Sequence, residues 1–195
     1  MQDDNEDDAS VIARSKHEPS LFAVIFDRHA RHIHRYLVRR LGDTVADDLL
    51  AETFLTAFDK RAKYDLERPD ARPWLYGIAT NLVSRHRRAE VRELKLRLAV
   101  GPPAPVDGHA DRVAEQVSAQ ALGKHLDAAL AELSPGDRDV LLLVAAEGLA
   151  YQEVADALKI PVGTVRSRLN RARGRVRVTL GVAADTKEAS AHGLG

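Results

Sequence analysis

The sequence contains no cysteine, one methionine and one tryptophan, and aromatic residues make up only 5% of its 195 positions. Without cysteine the chain cannot form disulfides or cysteine-ligated metal sites. It also lacks an apolar run of roughly 18 residues, which a membrane-spanning helix needs, and its acidic amino terminus is unlike a signal peptide. These absences predict a cytoplasmic protein with no membrane-inserted segment.

The chain has no net charge, because Lys+Arg and Asp+Glu number 29 each. The distribution is uneven: the first 20 residues hold six acidic and two basic side chains, whereas residues 159–180 hold no acidic residue. Residues 1–18 are polar and show no apolar periodicity, so they are predicted to form a disordered acidic tail.

The most informative stretch is 151–177, where two short apolar stripes at helical spacing flank a proline. Proline cannot continue the first helix but suits the first turn of the second. This pattern predicts a helix-turn-helix. The outward positions of the second helix hold residue types that reach phosphates and base edges: Arg166, Ser167, Asn170, Arg171 and Arg173. The alternative is a solvated basic helix packed on a small bundle.

Helical periodicity also organises the first half. One helix is predicted from Leu21 to Gly42 and a second from Asp43 or Thr44 to about Phe58, with Thr44 and Asp47 as a capping box. Asp48 and Glu52 form an acidic pair on this second helix, which disfavours an isolated helix. The pair either serves a basic partner, or Asp47 and Asp48 lie in the first turn of the helix, where the helix dipole favours acidic residues for purely structural reasons.

A third helix is predicted to open at Pro73, with a buried stripe through Leu82 and Val83. Its other faces are expected to carry Arg72, Tyr76, Thr80, Asn81 and the basic cluster 85–88. Aromatic and amide groups beside arginines suit single-stranded nucleic acid. The alternative is that Trp74 and Tyr76 belong to the core and its rim.

Prolines and glycines at 99–110 mark a linker between two helical parts. The predicted fold is therefore all-α, with two small helical domains and a flexible Pro/Gly linker. The predicted boundaries are 1–18 for the tail, 19–95 for the first domain, 96–113 for the linker, 114–180 for the helix-turn-helix domain and 181–195 for a second tail. No metal or cofactor site is predicted, and His29, His32 and His34 are expected to be solvated.

Three stretches resemble one family. The segments 39–58 and 72–88 resemble region two of the extracytoplasmic function sigma factors of bacterial RNA polymerase, and 146–173 resembles their region four. The resemblance covers roughly residues 20–180. It departs from the family pattern at Ala150, where a capping serine is common, and at Lys159, where glycine is common in the turn.

The resemblance implies a sigma factor that binds core RNA polymerase and directs promoter-specific initiation. It implies contacts to the minus 35 duplex by Arg166, Ser167, Arg168, Asn170, Arg171 and Arg173. It implies contacts to the minus 10 single strand by Tyr64, Arg72, Trp74, Tyr76, Asn81, Arg85 and Arg88. The helix with Asp47, Asp48, Leu50, Glu52 and Phe54 would dock on polymerase, whose beta-prime and beta subunits are the implied partners.

The resemblance further implies control by an anti-sigma factor and no chemistry by the chain itself. Two other hypotheses compete with it. A helix-turn-helix regulator that binds duplex DNA as a dimer would explain residues 135–177 but would leave the acidic pair and the helix after Pro73 without a role. A nuclease using the histidines lacks a paired-carboxylate, phosphate-loop or nucleophile motif.

Overall fold

A computed structural model describes residues 6–100, 126 and 128–180. Within these ranges the regular elements are helices, with no β-strand. The amino-terminal domain contains α1 (Asp8–Ser15), α2 (Ala23–Leu41), α3 (Asp43–Lys60) and α4 (Arg72–Val100). The carboxy-terminal domain contains α5 (Pro135–Leu141), a π-helical turn (Leu142–Ala146), α6 (Tyr151–Leu158) and α7 (Val162–Thr179).

Helix α1 corrects the prediction that residues 1–18 are disordered, as far as residue 6 onward is concerned. Asp7 caps the helix by accepting a hydrogen bond from the Ser10 backbone N–H at 2.8 Å. Val11 and Ile12 are buried in the core. A short apolar segment with a cap is enough to hold this acidic stretch on the domain, although its composition resembles that of a disordered tail. Residues 1–5 lie outside the described part.

Helices α2 and α3 agree with the predicted positions, and Gly42 separates them with a φ of 82°. The predicted Thr44–Asp47 capping box is wrong, because α3 begins at Asp43 and its cap position is Gly42, which has no side chain. The apolar stripes of these helices form the centre of the domain, including Ile25, Ile33, Leu37, Ala46 and Leu49.

Helix α4 begins at Arg72, with Pro73 in its first turn, and buries Leu75, Ala79, Leu82 and Val83. It continues to Val100 and therefore extends past residue 96, where the linker was expected to begin. The rest of that linker and most of the helix expected at 114–133 lie outside the described residues. The same holds for the second tail, 181–195.

The carboxy-terminal domain follows the predicted start and stop signals. The Ser134 hydroxyl accepts a hydrogen bond from the Asp137 N–H at 3.2 Å, and Gly148 ends the π-helical turn with a φ of 71°. Helix α7 packs against both α5 and α6, and Val154 of α6 and Val165 and Leu169 of α7 are buried.

The two domains pack against each other through α4 and α6. A Cβ atom on Gly77 would lie 2.7 Å from the carbonyl oxygen of Ala157, a separation that real side chains do not adopt. Glycine at position 77 is therefore required for this close approach. The packing therefore brings α4, which carries predicted minus 10 residues, next to the helix-turn-helix, which carries the predicted minus 35 residues.

Candidate nucleic-acid interface

The turn between α6 and α7 has the conformation of a helix-turn-helix. Lys159 ends α6 with φ 54° and ψ 47°, the left-handed conformation that favours glycine. Ala150 offers no side-chain cap at the start of α6, but Glu153 Oε2 accepts a hydrogen bond from the Ala150 N–H at 2.6 Å. Half of a capping box thus compensates for the missing serine.

The outer face of α7 is exposed at Arg166, Ser167, Asn170 and Arg173. These side chains lie on the surface where a helix of this kind meets a DNA groove. The other two predicted minus 35 residues make contacts within the protein. Arg168 is half-buried, with its guanidinium against Gly136.

Arg171 forms a bidentate ion pair with Asp137, in which Nε and Nη2 each donate a 2.9 Å hydrogen bond. This pair lowers the pKa of the Asp137 carboxyl and leaves the Arg171 side chain 63% exposed. The pair connects the outer face of α7 to the first turn of α5. Arg171 is thereby oriented but still reachable by solvent.

The predicted minus 10 residues divide into exposed and buried groups. Tyr64 is buried, its ring centroid lies 4.9 Å from that of half-buried Trp74, and its hydroxyl donates to the Arg68 carbonyl at 2.6 Å. Arg72 pairs with Asp70 at 2.8 Å. The tyrosine, tryptophan and Arg72 lie close together at the start of α4, next to the loop that follows α3.

Tyr76 and Thr80 were expected on the outer faces of α4, and that expectation is wrong for this arrangement. Tyr76 is 1% exposed because the carboxy-terminal domain covers it, and its hydroxyl donates to Glu147 Oε2 at 2.8 Å. Thr80 shares a 2.9 Å hydrogen bond with the Tyr36 hydroxyl. Tyr76 therefore bonds directly across the domain contact, and Thr80 is connected to it through Tyr36, whose hydroxyl donates to Asp139 Oδ1 at 3.1 Å.

The remaining predicted minus 10 residues are exposed. Asn81 donates to the Gly77 carbonyl at 2.8 Å, and Arg88 donates to the Ser84 carbonyl at 3.1 Å. Arg85 forms an ion pair with Glu52 of α3. One member of the acidic pair thus has a partner within the chain.

The predicted polymerase-binding residues on α3 differ in their exposure. Asp47 and Asp48 are exposed, and Asp47 lies 3.1 Å from His34 Nε2. Leu50 is half-buried, whereas Phe54 is buried and packs edge-on against Phe26 with ring centroids 4.8 Å apart. Phe54 therefore belongs to the core. Leu55, which the sequence reading left out, is 66% exposed on this helix.

Sequence reasoning missed the polar contacts that join the two domains. The Glu147 side chain is fully buried and accepts hydrogen bonds from Arg35, Arg39 and Tyr76 at 2.8–3.1 Å. We call these four residues the Glu147 cluster. Arg68 and Asp156 form a further ion pair between the domains. The one indication of these contacts in the sequence was Glu147 itself, a single glutamate at the end of an apolar helix.

The expectation of solvated histidines fails for His29, which is buried and lies 2.7 Å from Asp8 Oδ2. Burial opposes ionisation of Asp8, but hydrogen bonds from His29 and the Ala71 N–H outweigh it and lower the Asp8 pKa to about 2. Asp8, His29 and Asp70 offer ligand atoms within 4.8 Å of one another. Both Asp8 oxygens already accept hydrogen bonds, because Arg28 donates to the other one.

Known proteins match both domains. Residues 25–93 match the family model for sigma-70 region 2, and residues 124–176 match the model for sigma-70 region 4. The ECF RNA polymerase sigma factor SigL of Mycobacterium tuberculosis H37Rv is 34% identical over 175 residues, which cover 88% of this chain and 96% of SigL. The chain belongs to the ECF sigma factors. SigW of Bacillus subtilis is 28% identical over 172 residues, covering 85% of this sigma factor and 91% of SigW.

Solved structures share the fold of this ECF sigma factor. The sigma factor RpoE of Bartonella quintana, solved with the anti-sigma factor NepR, aligns with a TM-score of 0.66 at 22% identity, over 84% of this chain and 98% of RpoE. CnrH, solved with the cytosolic domain of CnrY, aligns with a TM-score of 0.63 at 25% identity, over 91% of this chain and 99% of CnrH. The predicted all-α fold is confirmed. Among the described helices of this sigma factor, none combines the length and apolarity needed to cross a bilayer.

Proposed function

We propose that this ECF sigma factor binds core RNA polymerase and reads two promoter elements with separate surfaces. The exposed basic face of α7, with Arg166, Ser167, Asn170 and Arg173, contacts the minus 35 duplex in the major groove. Arg171 contacts the DNA either after its ion pair with Asp137 breaks or while that ion pair is kept. This exposed face on a helix-turn-helix is the observation that carries the proposal.

The minus 10 element is bound as a single strand by α4 and the loop before it. Trp74, Asn81, Arg85 and Arg88 are accessible at least in part, whereas Tyr64 and Tyr76 are covered. Covered tyrosines cannot stack on bases, so full binding of this element requires the domains to separate. We therefore assign the described arrangement to the unbound protein.

The exposed acidic face of α3 binds polymerase in this proposal. Asp48 forms no ion pair within the described residues. Glu52 exchanges its ion pair with Arg85 for a basic surface on the beta-prime subunit. The beta subunit is the expected partner of the carboxy-terminal domain. The chain itself catalyses no reaction and needs no cofactor, and it acts with polymerase in the cytoplasm.

We also propose control by an anti-sigma factor. The sigma factor RpoE, which shares this fold, was solved with the anti-sigma factor NepR, and CnrH was solved with the cytosolic domain of CnrY. A partner that holds the domains together would keep Tyr76 and Thr80 covered. The domain boundaries proposed for these functions are 19–95 and 114–180.

Polymerase binding tests the docking surface. The double variant Asp48→Lys, Glu52→Lys should weaken binding to core polymerase by at least about tenfold, since reversing both charges replaces attraction with repulsion. Binding is measured by fluorescence anisotropy of labelled protein against purified core enzyme. The matched control Asp59→Lys, Glu67→Lys reverses two exposed acidic residues elsewhere and should change little. Equal affinities for both double variants would contradict the docking surface.

A further inference from the structure

Three arginines surround one carboxylate where the two domains meet. Arg40 and Arg138 are only 2% and 9% exposed, and Arg87 is half-buried, donating to the Arg40 carbonyl at 2.5 Å. Arg40 Nε lies 2.7 Å from Asp139 Oδ1, which also accepts a hydrogen bond from Tyr36. We call Arg40, Arg87, Arg138 and Asp139 the Arg138 cluster. It contains two more positive than negative charges.

Part of this charge has no partner in the described part of the chain. Arg40 Nη1, Arg87 Nε and Arg138 Nε are buried without a hydrogen bond. Burial and repulsion among the three arginines lower the pKa values of Arg87 and Arg138. Glu90 also acts on Arg87, but its side chain is 60% exposed and pairs with His86. Buried cations without partners cost stability, so the cluster favours an added anion.

A groove of about 760 Å³ opens at the cluster, and Arg40 and Arg87 line it. This volume lies in the range of small-molecule sites, roughly 300–1,000 Å³. Arg85, Arg88 and Arg92 of α4 also line the groove and extend its positive charge, while Val91 adds an apolar wall. The lining is mostly carbon, from Val91 and the arginine stems, so the groove combines nearby positive charge with a surface suited to a flat apolar group.

We infer that the Arg138 cluster and its groove bind a polyphosphate of the nucleoside di- or triphosphate class. The planar guanidinium fork matches phosphate oxygens, and two excess cations match a multiply charged anion. Arg40 and Arg87 line the groove and contact the anion, whereas Arg138 is not among the lining residues and contributes positive charge to the cluster.

The site has a consequence for domain arrangement. Arg40 and Arg87 belong to the amino-terminal domain and Arg138 to the carboxy-terminal domain, so the site is complete only when the domains are packed. A ligand that binds one arrangement shifts the population toward it. The bound anion therefore opposes promoter binding; this consequence rests on the proposed function, whereas anion binding itself does not.

Isothermal titration of the full-length protein tests the site, with inorganic pyrophosphate, ATP and a hexaglutamate peptide as probes in about 150 mM KCl. Pyrophosphate and ATP should bind one to one with a Kd below about 100 μM. Arg138→Gln should weaken both by at least about tenfold, because it removes one of the two excess positive charges of the cluster. Arg31→Gln, the same change at an exposed position of α2, should leave binding unchanged.

The thermal stability of the ligand-free protein separates a binding role from a structural one. Arg138→Gln removes a repelling buried charge, so its Tm should equal or exceed that of the wild type. A lower Tm with undiminished pyrophosphate binding would overturn the inference, as would binding of hexaglutamate alone or no binding at millimolar concentrations. If Arg138→Gln fails to fold, Arg87→Gln should lose pyrophosphate binding in its place. None of these measurements involves polymerase, so they can fail while the proposed function stands.

Discussion

Tyr76 of α4 donates its hydroxyl hydrogen to Glu147 across 2.8 Å, and this bond joins the two domains of the sigma factor. Tyr76 is one of the residues that the family resemblance assigns to the minus 10 element. Its buried position means that the same side chain holds the domains together and is hidden from DNA.

Glu147→Gln should loosen the contact between the domains. The change removes the buried charge that pairs with Arg35 and Arg39, whose side chains are 42% and 40% exposed. Because water can hydrate these partly exposed arginines, the expected loss in the free energy of domain association is only about 1–3 kcal/mol. The chain has no cysteine, so Asp59→Cys and Val178→Cys provide two specific labelling sites for energy transfer between the domains. Transfer efficiency should fall in Glu147→Gln and stay constant in Glu93→Gln, an exposed control.

Gly77→Ala should push the domains apart through a steric clash. The added Cβ would lie 2.7 Å from the Ala157 carbonyl oxygen, and a backbone atom cannot move aside easily. Alanine otherwise favours a helix over glycine by about 1 kcal/mol, so α4 itself should persist. Gly174→Ala is the matched control, since nothing lies within 4 Å of its added Cβ. Unchanged energy transfer in Gly77→Ala would contradict the close packing of α4 on α6.

The stabilisation that ionised Asp8 gives to the packing of α1 should be lost at acid pH. The pKa of Asp8 is about 2 in the folded protein and about 3.8 in the unfolded chain. A lowered carboxyl pKa stabilises the fold above the unfolded value, and that stabilisation is lost as the pH falls from about 4 to about 2. The contribution at neutral pH is about 2 kcal/mol.

Urea unfolding at pH 6 and pH 2.5 measures this contribution. The wild type should lose more stability between the two pH values than Asp8→Asn, which lacks the titrating group. The exposed control Asp47→Asn should behave like the wild type. Parallel pH profiles for all three proteins would show that Asp8 does not anchor α1.

Lys159→Gly should raise stability by about 1 kcal/mol. Lysine at this position has a φ of 54°, which strains any residue with a Cβ, and glycine removes the strain. Lys60→Gly serves as the control because Lys60 has a φ of −93° and gains nothing from glycine. Thermal unfolding should show a higher Tm for the first variant and a lower Tm for the second. A lower Tm for Lys159→Gly would contradict the left-handed turn.

Arg171→Ala distinguishes base reading from phosphate contact on α7. If Arg171 reads a base edge, binding should weaken by about 1–3 kcal/mol at particular promoter positions and little elsewhere. The measurement is DNA binding by the holoenzyme across a set of minus 35 variants. A uniform loss for all sequences would remove Arg171 from the residues that determine specificity.

The sequence predicted the helices well because their signals are local. The apolar stripe of α2, the proline near the start of α4 and the left-handed residue at Lys159 each act over a few residues. Helix α1 was missed because its acidic composition outweighed two apolar residues. The Glu147 cluster was missed for another reason: Tyr76 and Glu147 are 71 positions apart, and no periodicity in the sequence relates them. The same distance in sequence explains why Tyr76 was placed on an outer face.

Run-off transcription with purified bacterial core polymerase on a library of genomic promoters tests whether this protein directs promoter-specific initiation. Transcripts should begin at discrete sites only when this protein is present, with shared sequences at the minus 35 and minus 10 positions. The same start sites with and without the protein, or no initiation together with no binding to core polymerase, would contradict a role as a promoter-directing sigma factor.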